Sequence, residues 1–177
     1  MTKESATEAS RSFAPVSASD AQILILGSLP GVRSLEEARY YAQPRNVFWK
    51  IMGALFEAAP ELPYQTRLQR LRDARIALWD VVAAAVRPGS LDAHIRRETI
   101  EVNDFEGFLR RHRSISLICC NGRTAGDLFR RRVLPGLSMS VPSVVVLPST
   151  SPAHAAMSYE EKLRQWRAAL TGPGRPS

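Results

Sequence analysis

The sequence predicts an α/β protein in which a central four-stranded, mainly parallel sheet is covered by helices on both faces, a three-layer α/β/α arrangement. Short apolar runs suited to buried strands alternate along the chain with segments whose apolar residues recur at helical spacing. The first run, residues 23–26, is apolar throughout, which is typical of a parallel strand covered on both faces. The length of 177 residues favours one domain with a substantial core.

The remaining elements follow from the same patterns. Three further apolar runs predict strands at residues 76–82, 114–120 and 143–147. The predicted helices lie at residues 47–56, at residues 64–75, after a cap at Asn103 or Asp104, after Asn121–Gly122, and after a capping pattern at Ser158. Since parallel strands end at the same edge, the loops that follow them should meet there and form any ligand site.

Both ends of the chain lack periodicity. Residues 1–19 are rich in Ser, Ala and Thr and are expected to form a flexible N-terminal tail. Residues 171–177 are rich in Gly and Pro and are expected to form a flexible C-terminal tail. The single domain should therefore span residues 20–170.

Composition points to a polyanionic partner. The formal net charge is +7 with a pI near 10.1, which suggests nucleic acid, although Arg-rich usage can also follow genome composition. Neither a membrane span of about 20 apolar residues nor a secretory signal is visible. The adjacent Cys119 and Cys120 indicate reduced thiols in a cytoplasmic protein. The spacing of Cys and His gives no metal site, and we expect no cofactor.

The loop after the first strand carries the main candidate site. The turn Gly27-Ser28-Leu29-Pro30-Gly31 lets backbone approach a ligand closely, because two of its residues are glycine. The segment YYAQPRN at residues 40–46 then supplies aromatic faces for stacking, an arginine for phosphate and an amide side chain. The nucleotide-binding spacing G-x-G-x-x-G and the P-loop signature are both absent from the sequence, which disfavours a nucleotide-binding α/β module.

Strand-GSLPG followed by YYAQPRNVFW resembles the uracil-DNA glycosylase superfamily. The segments LWDVV at residues 78–82, RPGSLD at 87–92 and LPSTSPA at 147–153 most resemble its hypoxanthine-DNA glycosylase branch. The resemblance covers most of residues 21–170 in the expected order. It implies a glycosylase-like fold and an enzyme of base excision repair that flips a damaged base out of DNA and hydrolyses the bond from base to sugar.

The resemblance assigns the catalytic role to Asn46. Many superfamily members carry Asn or Asp at the position of Leu29, which cannot position water, and the hypoxanthine branch uses an asparagine that matches Asn46. An amide is no general base, so the mechanism would rest on orienting water and on stabilising a sugar cation as the base departs. The alternative is that Asn46 only caps the helix that follows it.

Base recognition is expected to involve the GSLPG loop together with Tyr41, Asp80 and Asn121. Tyr41 matches an aromatic residue that stacks on the flipped base, although one of Tyr40 and Tyr41 could instead pack in the core. Asp80 could accept from the N1–H of hypoxanthine and equally from the N3–H of uracil, or it could cap a turn. Asn121 precedes a helix N-terminus that could bind an anion.

DNA contacts are expected in the loop after the last strand and in neighbouring loops. Leu147 stands where better-known branches have a catalytic histidine. The hydroxyls and amides that follow suit phosphate, as do nearby basic groups: Ser149, Thr150, Ser151, His154 and Arg45. Arg87 is a further candidate for phosphate, whereas the role of Asp92 does not follow from the sequence.

The leading hypothesis is a monomeric, monofunctional glycosylase for deaminated bases, hypoxanthine first, that leaves an abasic site. No lysine lies in the motif loops, which disfavours a Schiff-base step. Alternatives are excision of uracil or xanthine by the same chemistry, and a damaged-DNA-binding protein without catalysis, because Leu29 and Leu147 replace both usual catalytic side chains.

Overall fold

A computed structural model describes residues 8–173, which contain two sheets. The strands in chain order are β1 (Ala9–Arg11), β2 (Ile23–Gly27), β3 (Ile76–Asp80), β4 (Val82–Val86), β5 (Glu101–Val102), β6 (Leu117–Asn121) and β7 (Ser143–Leu147). The central sheet has the order β3-β2-β6-β7, and all of its pairings are parallel. The predicted four-stranded parallel sheet is therefore confirmed.

Helices cover both faces of this sheet. In chain order they are α1 (Val32–Glu37), α2 (Phe48–Phe56), α3 (Tyr64–Asp73), α4 (Phe105–Arg111), α5 (Arg123–Leu128) and α6 (Tyr159–Thr171). One core lies between the sheet and α2, α3 and α6, and it contains the buried rings of Phe48 and Trp166. A second core lies beneath α4 and α5 and contains Phe105, Phe108 and Phe129. The three-layer α/β/α class is thus confirmed.

The caps predicted from sequence hold two of the helices. Asp104 precedes α4 and accepts a hydrogen bond from the Gly107 N–H, and Ser158 precedes α6 and accepts from the Glu161 N–H. Between residues 8 and 173, no helix has the length and apolar character that a membrane span requires.

The second strand was predicted too long. It ends at Asp80, and after Val81 the chain enters β4, which belongs to a separate antiparallel sheet of order β1-β4-β5. Continuous apolar sequence concealed this change of sheet, because Val81 and Val82 are buried on either assignment. The N–H groups of Val81 and Val82 donate to the carbonyls of Gly27 and Ser28, so the start of β4 anchors the loop after β2.

The prediction of a flexible tail over residues 1–19 is wrong for residues 8–19. Strand β1 pairs with β4, and Val16 forms an antiparallel bridge with Leu78. Phe13 packs edge-on against Tyr40 with ring centroids 5.2 Å apart. These contacts provide order that the polar composition of the segment does not reveal. Residues 1–7 lie outside the described residues, as do residues 174–177 of the predicted C-terminal tail, whereas Thr171 ends α6.

Candidate active site

The carboxyl ends of all four central strands meet at one edge, as parallel pairing requires. In the register of the sheet, Gly27 faces Asp80 and Asn121 faces Leu147. The sheet therefore brings together the loops that the sequence singled out, although they are up to about 120 residues apart along the chain, the separation of Gly27 from Leu147.

Gly27 and Asp80 are packed against each other under Tyr41. A β-carbon on residue 27 would lie 2.5 Å from Oδ1 of Asp80 and 3.3 Å from the Tyr41 hydroxyl. Such distances do not occur in folded proteins without displacement, so only glycine at position 27 leaves room for both side chains. Three of the residues predicted to bind the base thus form one cluster.

Asp80 is a buried carboxylate with unused hydrogen-bonding capacity. It is 4% exposed, and its Oδ2 has no hydrogen-bond partner within residues 8–173. Burial and, to a smaller extent, the negative charge of Asp92 raise the pKa of Asp80 to about 7 against the opposing charge of Arg87. Such a group favours a ligand that supplies a hydrogen bond to this oxygen.

Tyr41 is held in a strained backbone conformation. Its φ is +55°, which is uncommon for a residue with a β-carbon. Its ring stacks on Phe48 at a centroid distance of 3.9 Å, and the Asn121 side chain lies near its hydroxyl. Burial and the nearby Asp80 raise the pKa of the Tyr41 hydroxyl, although Asn121 acts to lower it, so the hydroxyl remains protonated. Strain of this kind is typical of functional positions.

Tyr40 is the tyrosine of the pair that packs in the core. It is 4% exposed, and its hydroxyl donates to the Ala14 carbonyl at 3.0 Å. Its backbone N–H donates to the Tyr64 hydroxyl, and its carbonyl accepts from the Trp49 indole N–H, each at 2.9 Å. Both backbone groups that precede Tyr41 are therefore fixed by aromatic side chains.

Asn46 stabilises the start of helix α2 from the position before the N-cap residue, Val47, which is close to the capping role that one of the two sequence interpretations expected. Its Oδ1 accepts from the Phe48 N–H at 3.0 Å. The next residue, Val47, donates its N–H to the Thr150 carbonyl and so ties this segment to the loop after β7. The half-buried Asn46 side chain lines a cavity that it shares with Tyr41. This hydrogen bond uses the single amide oxygen of Asn46, and the NH2 group of the amide can still donate to a ligand or water.

Asn121 and Thr150 lock two loops of the site together. The Asn121 amide donates to Oγ1 of Thr150, and the Thr150 N–H donates back to Oδ1 of Asn121, each at 2.9 Å. Thr150 is 1% exposed. The predicted DNA contact by Thr150 is therefore wrong, because its side chain is buried in this pairing. Asn121 also lies near the Tyr41 hydroxyl, where it opposes the rise in the pKa of that group.

The GSLPG loop faces the protein with most of its side chains. Leu29 is 6% exposed and packs against Val82 and Ala85, and Pro30 is also buried. The prediction that this loop approaches a ligand through its backbone stays a prediction, and burial of the Leu29 and Pro30 side chains is compatible with it. The hydroxyl of Ser28 donates to Oδ1 of Asp92 at 2.7 Å.

Arg87 and Asp92 hold this loop from behind. The Arg87 side chain is fully buried, so it cannot bind phosphate as the sequence had suggested. It donates to the carbonyls of Leu29 and Pro30 and lies 3.9 Å from Oδ1 of Asp92. In the same segment, Oγ of Ser90 accepts from the Val32 N–H at 2.9 Å, beside Gly31. The position of Arg87 beside the GSLPG loop could not be inferred from spacing, because Arg87 follows β4 of the second sheet and lies 57 residues from Pro30 along the chain.

The remaining predicted DNA contacts lie toward solvent. Arg45 and His154 are exposed, and Ser149 and Ser151 are half-buried. The Ser149 hydroxyl accepts from the Ser151 N–H, which holds the turn and leaves its own O–H free to donate. Lys162, which the sequence did not single out, is 5% exposed and donates to the His154 carbonyl at 2.8 Å.

The carboxyl edge of this parallel sheet carries an aromatic ring suited to stacking, a buried carboxylate and amide side chains. Such an edge is typical of the class of α/β proteins that bind a planar polar group there. The family model of the uracil DNA glycosylase superfamily matches residues 14–171. The chain therefore belongs to the uracil DNA glycosylase superfamily.

Relatives and a solved structure agree with this assignment. A protein of Methanosarcina acetivorans named hypoxanthine DNA glycosylase is 38% identical over 159 residues, which are 89% of this chain and 96% of the relative. A protein of the same name from Methanosarcina barkeri is 38% identical over 116 residues, 65% of this chain and 72% of the relative. The solution NMR structure of a uracil DNA glycosylase candidate from M. acetivorans superposes with a TM-score of 0.76 at 35% identity, covering 92% of this chain and 97% of that one.

Proposed function

We propose that this protein is a monofunctional DNA glycosylase that flips a deaminated base, hypoxanthine first, out of DNA and hydrolyses its bond to deoxyribose. The product is an abasic site for base excision repair. The names of the two Methanosarcina relatives support hypoxanthine as the substrate. Net charge and buried reduced thiols support a protein that acts on DNA in the cytoplasm, and we propose that it does so as a monomer.

The observation that carries the proposal is the unpartnered Oδ2 of Asp80 beside the Tyr41 ring. A flipped hypoxanthine base places its N1–H donor on the edge that a carboxylate can read, and the ring of Tyr41 can contact its face. Stacking of this kind contributes about 1–3 kcal/mol per base. Uracil carries an equivalent N3–H, so Asp80 supports recognition of a deaminated base and does not by itself choose between the two.

Asn46 is the proposed catalytic residue. Neither Leu29 nor Leu147 carries a polar side chain, and both are buried, at 6% and 7% exposure. The Asn46 amide shares a cavity with Tyr41 and can hold a water molecule by hydrogen bonds while the bond from base to sugar breaks. The water oxygen then bonds to C1′ of the sugar, the electron pair of the broken bond leaves with the base, and the proton that the water releases neutralises the departed base.

The lysines of the described chain support hydrolysis over a Schiff-base step. Lys162 is buried and already donates to the His154 carbonyl, and Nζ of Lys50 lies 3.9 Å from the centroid of the Tyr159 ring. Neither belongs to the cluster of Gly27, Tyr41 and Asp80. Water is therefore the proposed nucleophile, and the sugar–phosphate backbone should remain intact until alkali is added.

A damaged-DNA-binding protein without catalysis is the second candidate, favoured by the leucines at positions 29 and 147. Duplexes with a single inosine, xanthosine or uracil, incubated with the protein and then treated with alkali, separate the two. We expect alkali-dependent scission, strongest at inosine. Stronger scission at uracil would keep the enzyme class and overturn the substrate. Binding without scission of any duplex would overturn the enzyme.

A further inference from the structure

A cavity of about 200 Å³ opens beside the candidate site. Tyr41 and Asn46 contribute to one part of its lining, and Arg39, Tyr64 and Arg67 contribute to another. One water occupies about 30 Å³ in the liquid, so the cavity has room for a group several times that size. The residues beyond Tyr41 and Asn46 have no part in the function proposed above.

Two arginines share one aromatic ring in this cavity. The guanidinium carbons of Arg39 and Arg67 lie 5.5 and 5.3 Å from the centroid of Tyr64, and that of Arg67 lies 4.7 Å from the centroid of Trp49. Cation–π contacts of this kind fix the orientation of a guanidinium but do not neutralise it. The pKa of Arg67 is lowered by burial and by the charge of Arg39, so the two cations repel each other.

Within residues 8–173, acidic side chains compensate these cations only weakly: the charge of Glu61 raises the pKa of Arg67, but burial and the charge of Arg39 outweigh it. Across residues 8–173, neither Arg39 nor Arg67 forms a salt bridge. Glu37, an acidic residue in the cavity lining, is held by Arg33 at 2.5 Å. Arg67 donates its Nε–H to the Leu62 carbonyl at 3.1 Å, which aims its terminal nitrogens away from that carbonyl. The cavity is therefore open, is lined by the two positive charges, and has aromatic side chains that hydrogen bonds hold in place.

The wall of the cavity is coupled to the base-binding cluster. The Tyr64 ring contacts both guanidiniums, and its hydroxyl accepts a hydrogen bond from the Tyr40 N–H. The Trp49 indole N–H donates to the Tyr40 carbonyl. Tyr41, the next residue, is the stacking candidate. A ligand held by the two arginines would therefore lie next to the nucleotide whose base Tyr41 contacts.

We propose that Arg39 and Arg67 form a binding site for one backbone phosphate of the damaged strand, adjacent to the flipped nucleotide. The inference rests on the proposed function for the identity of the ligand. A phosphodiester carries the negative charge that the two cations need, and its oxygens accept the N–H groups that a guanidinium presents as a fork. This contact would hold the strand while Asn46 acts.

Salt dependence of DNA binding tests the site. We expect Arg39→Gln/Arg67→Gln to weaken binding to an inosine duplex about tenfold or more and to reduce the slope of log K against log salt by about 1, the value for one phosphate. The matched control is Arg130→Gln/Arg131→Gln, which removes the same charge from the exposed end of the opposite helical layer. Equal slopes for the two double variants would overturn the site.

Methylphosphonate substitution locates the phosphate without any variant. Replacing single phosphates near the inosine with neutral methylphosphonates should weaken binding of the wild-type protein most at one position. Arg39→Gln/Arg67→Gln should lose no further affinity there. Additive losses at every position would contradict the proposal, and Arg39→Gln alone, an exposed change, guards against misfolding of the double variant.

The two proposals fail in different ways. If the wild-type protein cleaves at inosine but Arg39→Gln/Arg67→Gln binds DNA with the same salt dependence as Arg130→Gln/Arg131→Gln, the phosphate site is refuted and the glycosylase proposal stands. Binding that depends on Arg39 and Arg67, without scission of any duplex, would refute the glycosylase and leave a phosphate site on a DNA-binding protein.

Discussion

The α-carbon of Gly27 lies so close to the carboxylate of Asp80 that a β-carbon on residue 27 would come within 2.5 Å of Oδ1. Gly27→Ala should therefore displace Asp80 or Tyr41 from the base-binding cluster. We expect single-turnover excision to fall about 100-fold, the usual scale for a misplacement of about 1 Å. The measurement is the rate of base release from an inosine duplex.

Gly136→Ala is the matched control, because a β-carbon at position 136 would meet nothing within 4 Å. This variant should retain the wild-type rate and gain or lose little stability. A Gly27→Ala variant that excises as fast as Gly136→Ala would show that the close packing of Gly27 and Asp80 has no role in base binding.

Asp80 should make stability depend on pH. Its pKa is raised from 3.8 to about 7 in the folded protein, so the folded state holds a proton that the unfolded state releases above pH about 4. The contribution of Asp80 to stability is present below pH about 4 and is lost as the pH rises through 7. Relative to Asp80→Asn, the wild type should lose a few kcal/mol of unfolding free energy between pH 4 and 8.

Urea unfolding of both proteins across this range measures the difference. Asp92→Asn keeps the shape of the neighbouring carboxylate and removes its charge, and Asp92 is a cause of the raised pKa of Asp80. In that variant the loss of stability should move to lower pH. A difference between wild type and Asp80→Asn that stays constant from pH 4 to 8 would contradict the raised pKa.

Arg87→Met should be strongly destabilising. The side chain is fully buried, holds the carbonyls of Leu29 and Pro30, and lies beside Asp92. Its removal leaves these acceptors without donors in the interior, and the loss of one partner of a buried pair costs about 3–5 kcal/mol. Arg132→Met, at an exposed arginine that donates to the Arg97 carbonyl, should change unfolding by no more than about 0.5 kcal/mol. Equal urea midpoints would contradict the role of Arg87.

Thr150→Val should impair excision through Asn121. Valine keeps the shape of threonine but leaves the Asn121 N–H without the acceptor that it has at 2.9 Å, which costs about 1–3 kcal/mol. The Asn121 side chain also lies near the Tyr41 hydroxyl, so a displaced Asn121 should disturb Tyr41, and we expect weaker binding and slower excision of inosine duplexes. Thr171→Val removes a hydroxyl that donates to the Arg167 carbonyl at the surface, and it should alter neither the binding nor the excision of inosine duplexes. Wild-type affinity in Thr150→Val would exclude this coupling.

The parallel sheet was predictable because each of its strands appears in the sequence as a short apolar run. The run SVVVL at residues 143–147 was placed with both ends correct, although β7 is an edge strand in which only Leu147 is buried. The second sheet was not predictable, since β1 and β5 have only three and two residues and β1 lies in a polar segment at residues 9–11. Such strands depend on pairing partners that are distant in the sequence, and periodicity carries no signal for them.

The site was predictable in its composition more than in its geometry. Parallel topology alone requires Gly27, Asp80 and Asn121 to meet. Which side chains face the ligand depends on loop conformation, and Thr150 shows this, because its side chain is buried in the pairing with Asn121. A buried polar partner such as Arg87 for the GSLPG carbonyls is a three-dimensional contact that no spacing rule encodes.

The role of Asn46 is the central claim, and Asn46→Ser tests it most directly. Serine caps helices about as well as asparagine, so the α2 start should be retained and unfolding should change by no more than about 0.5 kcal/mol. The amide is lost, and we expect the single-turnover rate of hypoxanthine release to fall about 100-fold or more, with DNA binding unchanged. A stable Asn46→Ser variant that releases hypoxanthine within about tenfold of the wild-type rate would reduce Asn46 to a helix cap and contradict its catalytic role.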